Sequence, residues 1–109
     1  MALVSFVDET TGGERVPAWV MEVFEERLEL RELIRRRVHQ EVAERNAARN
    51  AGTEPADPRR QLDLALTAFA RNGFVVLVGD RQVEELDEVV ELRRDTEVTF
   101  LRLVPLVGG

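Results

Sequence analysis

The sequence of 109 residues contains no cysteine, lysine or tyrosine, and only one serine, one isoleucine and one histidine. Without cysteine there is no disulfide, thiolate metal site, iron–sulfur cluster or cysteine nucleophile. One histidine, His39, cannot build a His-rich metal site. The only serine, Ser5, lies in a β-like run with no convincing base beside it, so a Ser-centred hydrolase is not expected. Glycine occurs as Gly12-Gly13, as isolated turn residues and as Gly108-Gly109, never as a Walker or dinucleotide loop. The uncharged apolar stretch Phe74 to Gly79 is far short of the ~20 residues of a membrane span, and no other stretch approaches that length. The run Ala2–Val7 lacks a basic flank and stops at Asp8, unlike a signal peptide. These absences point to a cytoplasmic chain with no membrane partner and no catalytic constellation of its own.

Charge and apolar content are plentiful. Hydrophobic residues make up 44% and charged residues 33%, which argues against wholesale disorder. One domain of this size buries roughly 60–70% of its unfolded surface, so a single core is expected. The formal charge of −6 argues against nucleic acid as a partner, because nonspecific binding needs a net electropositive face. All 15 basic residues are arginine. The missing lysine has two readings, a compositional bias, since tyrosine is also absent and Ile34 is the sole isoleucine, and a functional one.

Periodicity predicts the order β-β-α-α-β-β-β. The β-branched and aromatic runs Ala2–Val7 and Val16–Phe24, separated by a Thr-Thr-Gly-Gly turn, read as a hairpin. Val16, Ala18 and Val20 fall on one face of the second strand and Trp19, Met21 and Val23 on the other, with Pro17 marking an edge or a bulge. From Leu28 to about Asn50 the stripe Leu30, Leu33, Ile34, Val38 and Val42 predicts one long amphipathic helix. Residues 46–60 read as a fraying helix end and a loop. A short helix follows from Pro58 or Gln61 to Arg71, with Leu62, Ala65, Leu66 and Phe69 on one face and Asn72-Gly73 as its stop. Phe74–Val78 suits a central strand, Gly79-Asp80 a tight turn and Arg81–Val83 a short return. Glu84–Val90 reads as an acidic connection anchored by Leu86 and Val89. Arg94-Asp95-Thr96 then turns the chain into a last strand, Val98–Val104, ended by Pro105.

Several residue groups invite chemistry. The triplet Arg35-Arg36-Arg37 is expected on a solvated helix face balanced by neighbouring Glu rather than as an acidic-partner patch. His39 reads as a surface or boundary residue. Glu84, Glu85, Asp87 and Glu88 lack the spacing of a calcium loop and read as solvated. Trp19 is expected in the core or an interface. That leaves Gly108-Gly109. At an average glycine usage of about 7%, two consecutive glycines at a chosen end arise in roughly 0.5% of chains. Lacking a Cβ, such a pair can thread a narrow channel. Beyond Pro105 the last five residues reach about 16 Å if extended, so 105–109 are expected to form a flexible tail.

The run Phe74-Val75-Val76-Leu77-Val78-Gly79-Asp80-Arg81-Gln82-Val83-Glu84 resembles the strand, turn and short strand that ubiquitin and its relatives place after their helix. Leu92 and Asp95 through Leu103, leading to Gly108-Gly109, are similar to ubiquitin's last strand and tail, an ending shared with the small sulfur carriers of thiamine and molybdopterin biosynthesis. The resemblance covers most of residues 1–109 outside roughly 45–72. It implies a single ubiquitin-like domain: an α+β, ubiquitin-like β-grasp with a mixed sheet packed on one long helix, plus an inserted loop and second short helix. The helix is longer than the family norm, and the lysines through which ubiquitin builds chains have no counterpart.

The resemblance further implies a carrier that is not itself an enzyme and holds no cofactor. An E1-like adenylating partner, using ATP and magnesium, would activate the Gly109 carboxylate. Pro105, Leu106 and Val107 would be recognised beside its channel, with Gly108 and Gly109 inside. A bacterial-type ubiquitin-like modifier would then be conjugated to target proteins, with a conjugating enzyme and a deconjugating protease as further partners. Two alternatives stay open: a sulfur carrier ending in a thiocarboxylate, and a noncovalent β-grasp interaction module whose terminal glycines are incidental.

Overall fold

The structure, a computed structural model, describes residues 2–50 and 52–103. In chain order the elements are β1 (Ala2–Thr10), β2 (Arg15–Val23), β3 (Arg27–Glu29), α1 (Leu30–Ala48), α2 (Pro58–Ala70), β4 (Phe74–Val78), β5 (Arg81–Val83), β6 (Val89–Glu91) and β7 (Asp95–Arg102). Five strands form a mixed sheet in the order β2-β1-β7-β4-β5. The two chain-distant strands β1 and β7 run parallel at its centre, and every other pair is antiparallel. The long helix α1 packs across one face, giving the β-grasp arrangement.

The core follows from strand alternation. Ala2, Val4 and Phe6 of β1, Val98 and Phe100 of β7, and Val76 and Val83 of β4 and β5 meet Leu30, Leu33 and Ile34 of α1. The cross-strand pairs Phe6↔Val98 and Val76↔Phe100 put these side chains on one face. The expected helix stripe is borne out, with Val42 buried and Val38 packed at the margin. On α2, Leu62, Ala65, Leu66 and Phe69 pack against the same cluster, and the Phe69 ring lies 5.7 Å from that of Phe74. Asp57 caps this helix by accepting from the Arg59 N–H at 3.1 Å, ahead of Pro58 at its start. Asn72, at φ +60°, and Gly73 end it. A Cβ at position 73 would meet the Ala68 carbonyl oxygen at 3.2 Å, so glycine permits the close return of the chain.

Several expectations are corrected. Leu28 belongs to β3 rather than to the helix, which begins at Leu30. The supposed acidic connection contains a strand: β6 pairs with β3, matching Val90 to Leu28. Alternation therefore buries Val90 and leaves Val89 51% exposed, reversing the expected anchor. The same connection caps the long helix. Glu29 offers no side-chain cap, and the Leu30 and Arg31 N–H groups donate instead to the Glu88 and Leu86 carbonyls at 3.0 Å each. The last strand starts at Asp95 rather than Val98, because all eight of its residues pair with β1. Pro17 marks both an edge and an irregularity: β2 is an edge strand, and its register with β1 shifts between Phe6 and Val7, where Val7 faces Pro17 and Ala18 is skipped. The shift returns Val16 to the face of Trp19, so the expected grouping of Val16 with Val20 does not hold.

Candidate functional site

The site suggested by the sequence is the tail. Its root is described. β7 lies in the middle of the sheet, the Thr11 N–H donates to the Arg102 carbonyl at 3.2 Å, and the Leu103 N–H reaches the Gly73 carbonyl at 3.5 Å. Pro105, Leu106, Val107, Gly108 and Gly109 lie outside the described residues, as does the expected flexibility of 105–109.

Leu103 also lines a cleft of about 610 Å³ between the two helices and the adjoining end of the sheet. Phe74 and Phe100, with ring centroids 5.9 Å apart, belong to its sheet side. Ile34 and Val38 come from α1, and Leu64, Ala65 and Ala68 from α2. The second helix thus supplies a wall that one helix on a sheet lacks. The loop leading to it is pinned by Asn46, whose amide donates to the Ala56 carbonyl at 3.1 Å and accepts from the Ala56 N–H at 2.7 Å.

Charged side chains line the cleft as well, Arg102, Glu9, Glu14 and Glu41 among them, and Arg37 is held against its aromatic side. The Arg37 side chain is only 13% exposed and grips the Asp8 carboxylate with both terminal nitrogens, Nη2 lying 2.8 Å from Oδ2. Its guanidinium carbon stands 4.3 Å from the Phe100 ring centroid and 5.2 Å from that of Trp19. Trp19 in turn donates from Nε1 to Glu44 at 2.6 Å, an interface between β2 and α1 that matches its expected role. A delocalised, weakly hydrated guanidinium suits such a stacked, paired position, where a lysine would not. Arg37 therefore departs from the solvated face expected for the whole triplet. A sequence signal existed: it follows Ile34 by three positions and adjoins Val38, at the margin of the apolar stripe.

The rest of the triplet behaves as expected. Arg35 and Arg36 both bond Glu32, and Arg36 also bonds Glu25. The hydrogen bond from Arg35, reinforced by that from Arg36, lowers the Glu32 carboxyl from 4.5 to about 2. Arg36 likewise holds Glu25 below its ordinary value, while Glu32 raises Arg35 and Glu25 raises Arg36. Such an interlocked set fixes the side chains of Glu25, Glu32, Arg35 and Arg36 against one another.

His39 lines a second, shallow pocket with Arg35, Asp57 and Arg59 that shares no residue with the cleft lining. Of the acidic connection, Glu88 pairs with Arg81 at 2.7 Å. Among the described residues no group of three potential ligands is arranged to hold a metal ion, and no helix is long and apolar enough to cross a membrane. No family model matches the chain, and no curated protein matches it in a sequence comparison.

Proposed function

We propose that the protein is a ubiquitin-like modifier, activated at the Gly109 carboxylate by an ATP-dependent, E1-like partner and conjugated to target proteins. The observation that carries this reading is the position of β7. This central strand of a β-grasp sheet, paired on both sides, leads directly into the segment bearing Gly108-Gly109. A central strand gives the tail an anchor that does not shift when the tail is pulled into a partner's channel. A carboxylate is a poor electrophile because its oxyanion is a poor leaving group, and an acyl phosphate anhydride made from ATP supplies a better one. An amine or hydroxyl of a target, or first a partner thiol, then displaces AMP.

The absence of lysine supports the reading, since a modifier without lysine is not consumed by conjugation to its own side chains. The cleft beside Leu103, with its apolar and charged lining, offers a partner a grip next to the tail root. Intact-mass measurement in cells containing the neighbouring genes tests the proposal. Higher-mass species linked through the Gly109 acyl group, lost on deletion of Gly108-Gly109, are the expected result. Exchange of one carboxylate oxygen for sulfur would instead identify a sulfur carrier. Full function of the deletion variant would overturn both and leave the noncovalent module.

A further inference from the structure

The sheet face turned away from α1 carries an exposed apolar group set among carboxylates at the β2 edge. The register places Leu3 between Glu22 and Asp95, and Ser5 between Val20 and Glu97. Leu3 is 41% exposed, Val20 68% and Phe24, directly after the strand, 78%. Among the described residues neither Glu22 nor Asp95 has an ion pair, and Glu97 is paired only with Arg15. Arg93 and Arg94 line a different pocket with Glu25 and Glu26. The face is thus apolar and uncompensated in negative charge.

It adjoins a free edge. β2 pairs only with β1, so the backbone groups on its other side have no strand partner among the described residues. Pro17 lacks an N–H and sits at the register shift, which protects the first part of the strand from addition. The stretch from Ala18 to Val23 has no such protection, and it is the stretch that carries Val20 and Glu22 and leads to Phe24.

We propose that this surface docks an extended segment of a partner protein, added as a strand beside β2, in which the residues of one face, at every second position, include both apolar residues and arginine or lysine. Every second side chain of an added strand faces this surface. Apolar side chains would pack on Val20 and Phe24 beside Leu3, and a cation would reach Glu22, with Asp95 further into the sheet adding to the negative field. A second copy of this chain fits poorly, because the same face of the copy is itself negative and brings further carboxylates rather than the cations that Glu22 and Asp95 lack. The segment 104–109 fits poorly too, having no cationic side chain. The proposal does not depend on activation at Gly109.

The test is selection of a displayed library of random peptides on the full-length chain, followed by titration of the synthetic consensus peptide at low and high salt. The expected consensus carries apolar and basic residues at positions of the same parity, two or four residues apart. The variant Glu22→Arg/Asp95→Arg and, separately, Phe24→Ser are each expected to weaken binding by about tenfold or more, the charge variant also flattening the salt dependence. An unchanged melting temperature shows that these exposed substitutions leave the fold intact, and Leu64→Asp in the cleft is expected to leave affinity unchanged. Failure to enrich peptides, an acidic or uncharged consensus, or affinity indifferent to both β2-edge variants overturns the proposal. So does loss of binding in Leu64→Asp alone, or self-association of the chain abolished by Phe24→Ser.

Discussion

Arg37 shows how much depends on a single side chain's direction. Within three consecutive arginines, two extend along the helix to Glu32 and one turns onto Phe100 and Asp8. Composition marks all three alike, and only their phase relative to Ile34 separates them. The same limit applies to the candidate site: the glycine pair is visible in the sequence, whereas the cleft at Leu103 is assembled from residues far apart in the chain. The Glu32 network yields a pH prediction. Its folded value of about 2 lies below the ordinary 4.5, so the carboxylate contributes stability that is fully present above 4.5 and is lost as pH falls toward 2. Measured as denaturant midpoints, the stability gap between the wild type and Glu32→Gln is expected to be open at neutral pH and to narrow across that window. A gap independent of pH would show that the arginines do not act on Glu32 in this way.

Elements that bury a continuous stripe are legible in the order of residues alone. The helix α1, the run Phe74–Val78 and the hairpin all announce themselves by period, because a long apolar stripe has one economical way to leave water. β3 and β6 do not. Each is three residues long, and their charged members Arg27, Glu29 and Glu91 give them the look of a loop; only pairing with each other makes them strands. The shift opposite Pro17 is legible as a possibility but not in its consequence for Val16. The stripe makes the second prediction. Ile34 is buried on α1 against the sheet, so Ile34→Ala leaves a cavity that the flanking strands cannot fill. The expected loss is about 2–5 kcal/mol, a large share of the ~5–15 kcal/mol typical of a domain. Denaturant titration checks it, and an unchanged midpoint would show that the helix is peripheral.

At the scale of the whole molecule, the sheet is closed by its two most distant strands. β1 begins at Ala2 and β7 ends at Arg102, yet they pair in parallel over eight residues at the centre. Neither half of the sheet is complete without the other: β7 is all that joins the β1–β2 hairpin to the β4–β5 hairpin. Closing so long a loop is costly in chain entropy and is repaid only when both flanking ladders and the helix face form together. Folding should therefore be cooperative and depend on the last strand, with a sharp boundary at its end. Truncation before Asp95 removes Val98, Phe100 and the buried Thr99 and splits the sheet, so it is expected to abolish the cooperative thermal transition. Truncation after Leu103 keeps the whole core cluster formed by the described residues and is expected to leave the melting temperature nearly unchanged. Circular dichroism melts of the two truncated chains distinguish these outcomes. A cooperative transition in the shorter chain would show that the hairpins and helix hold together without β7, and would remove the argument that this strand is the rigid anchor of the tail.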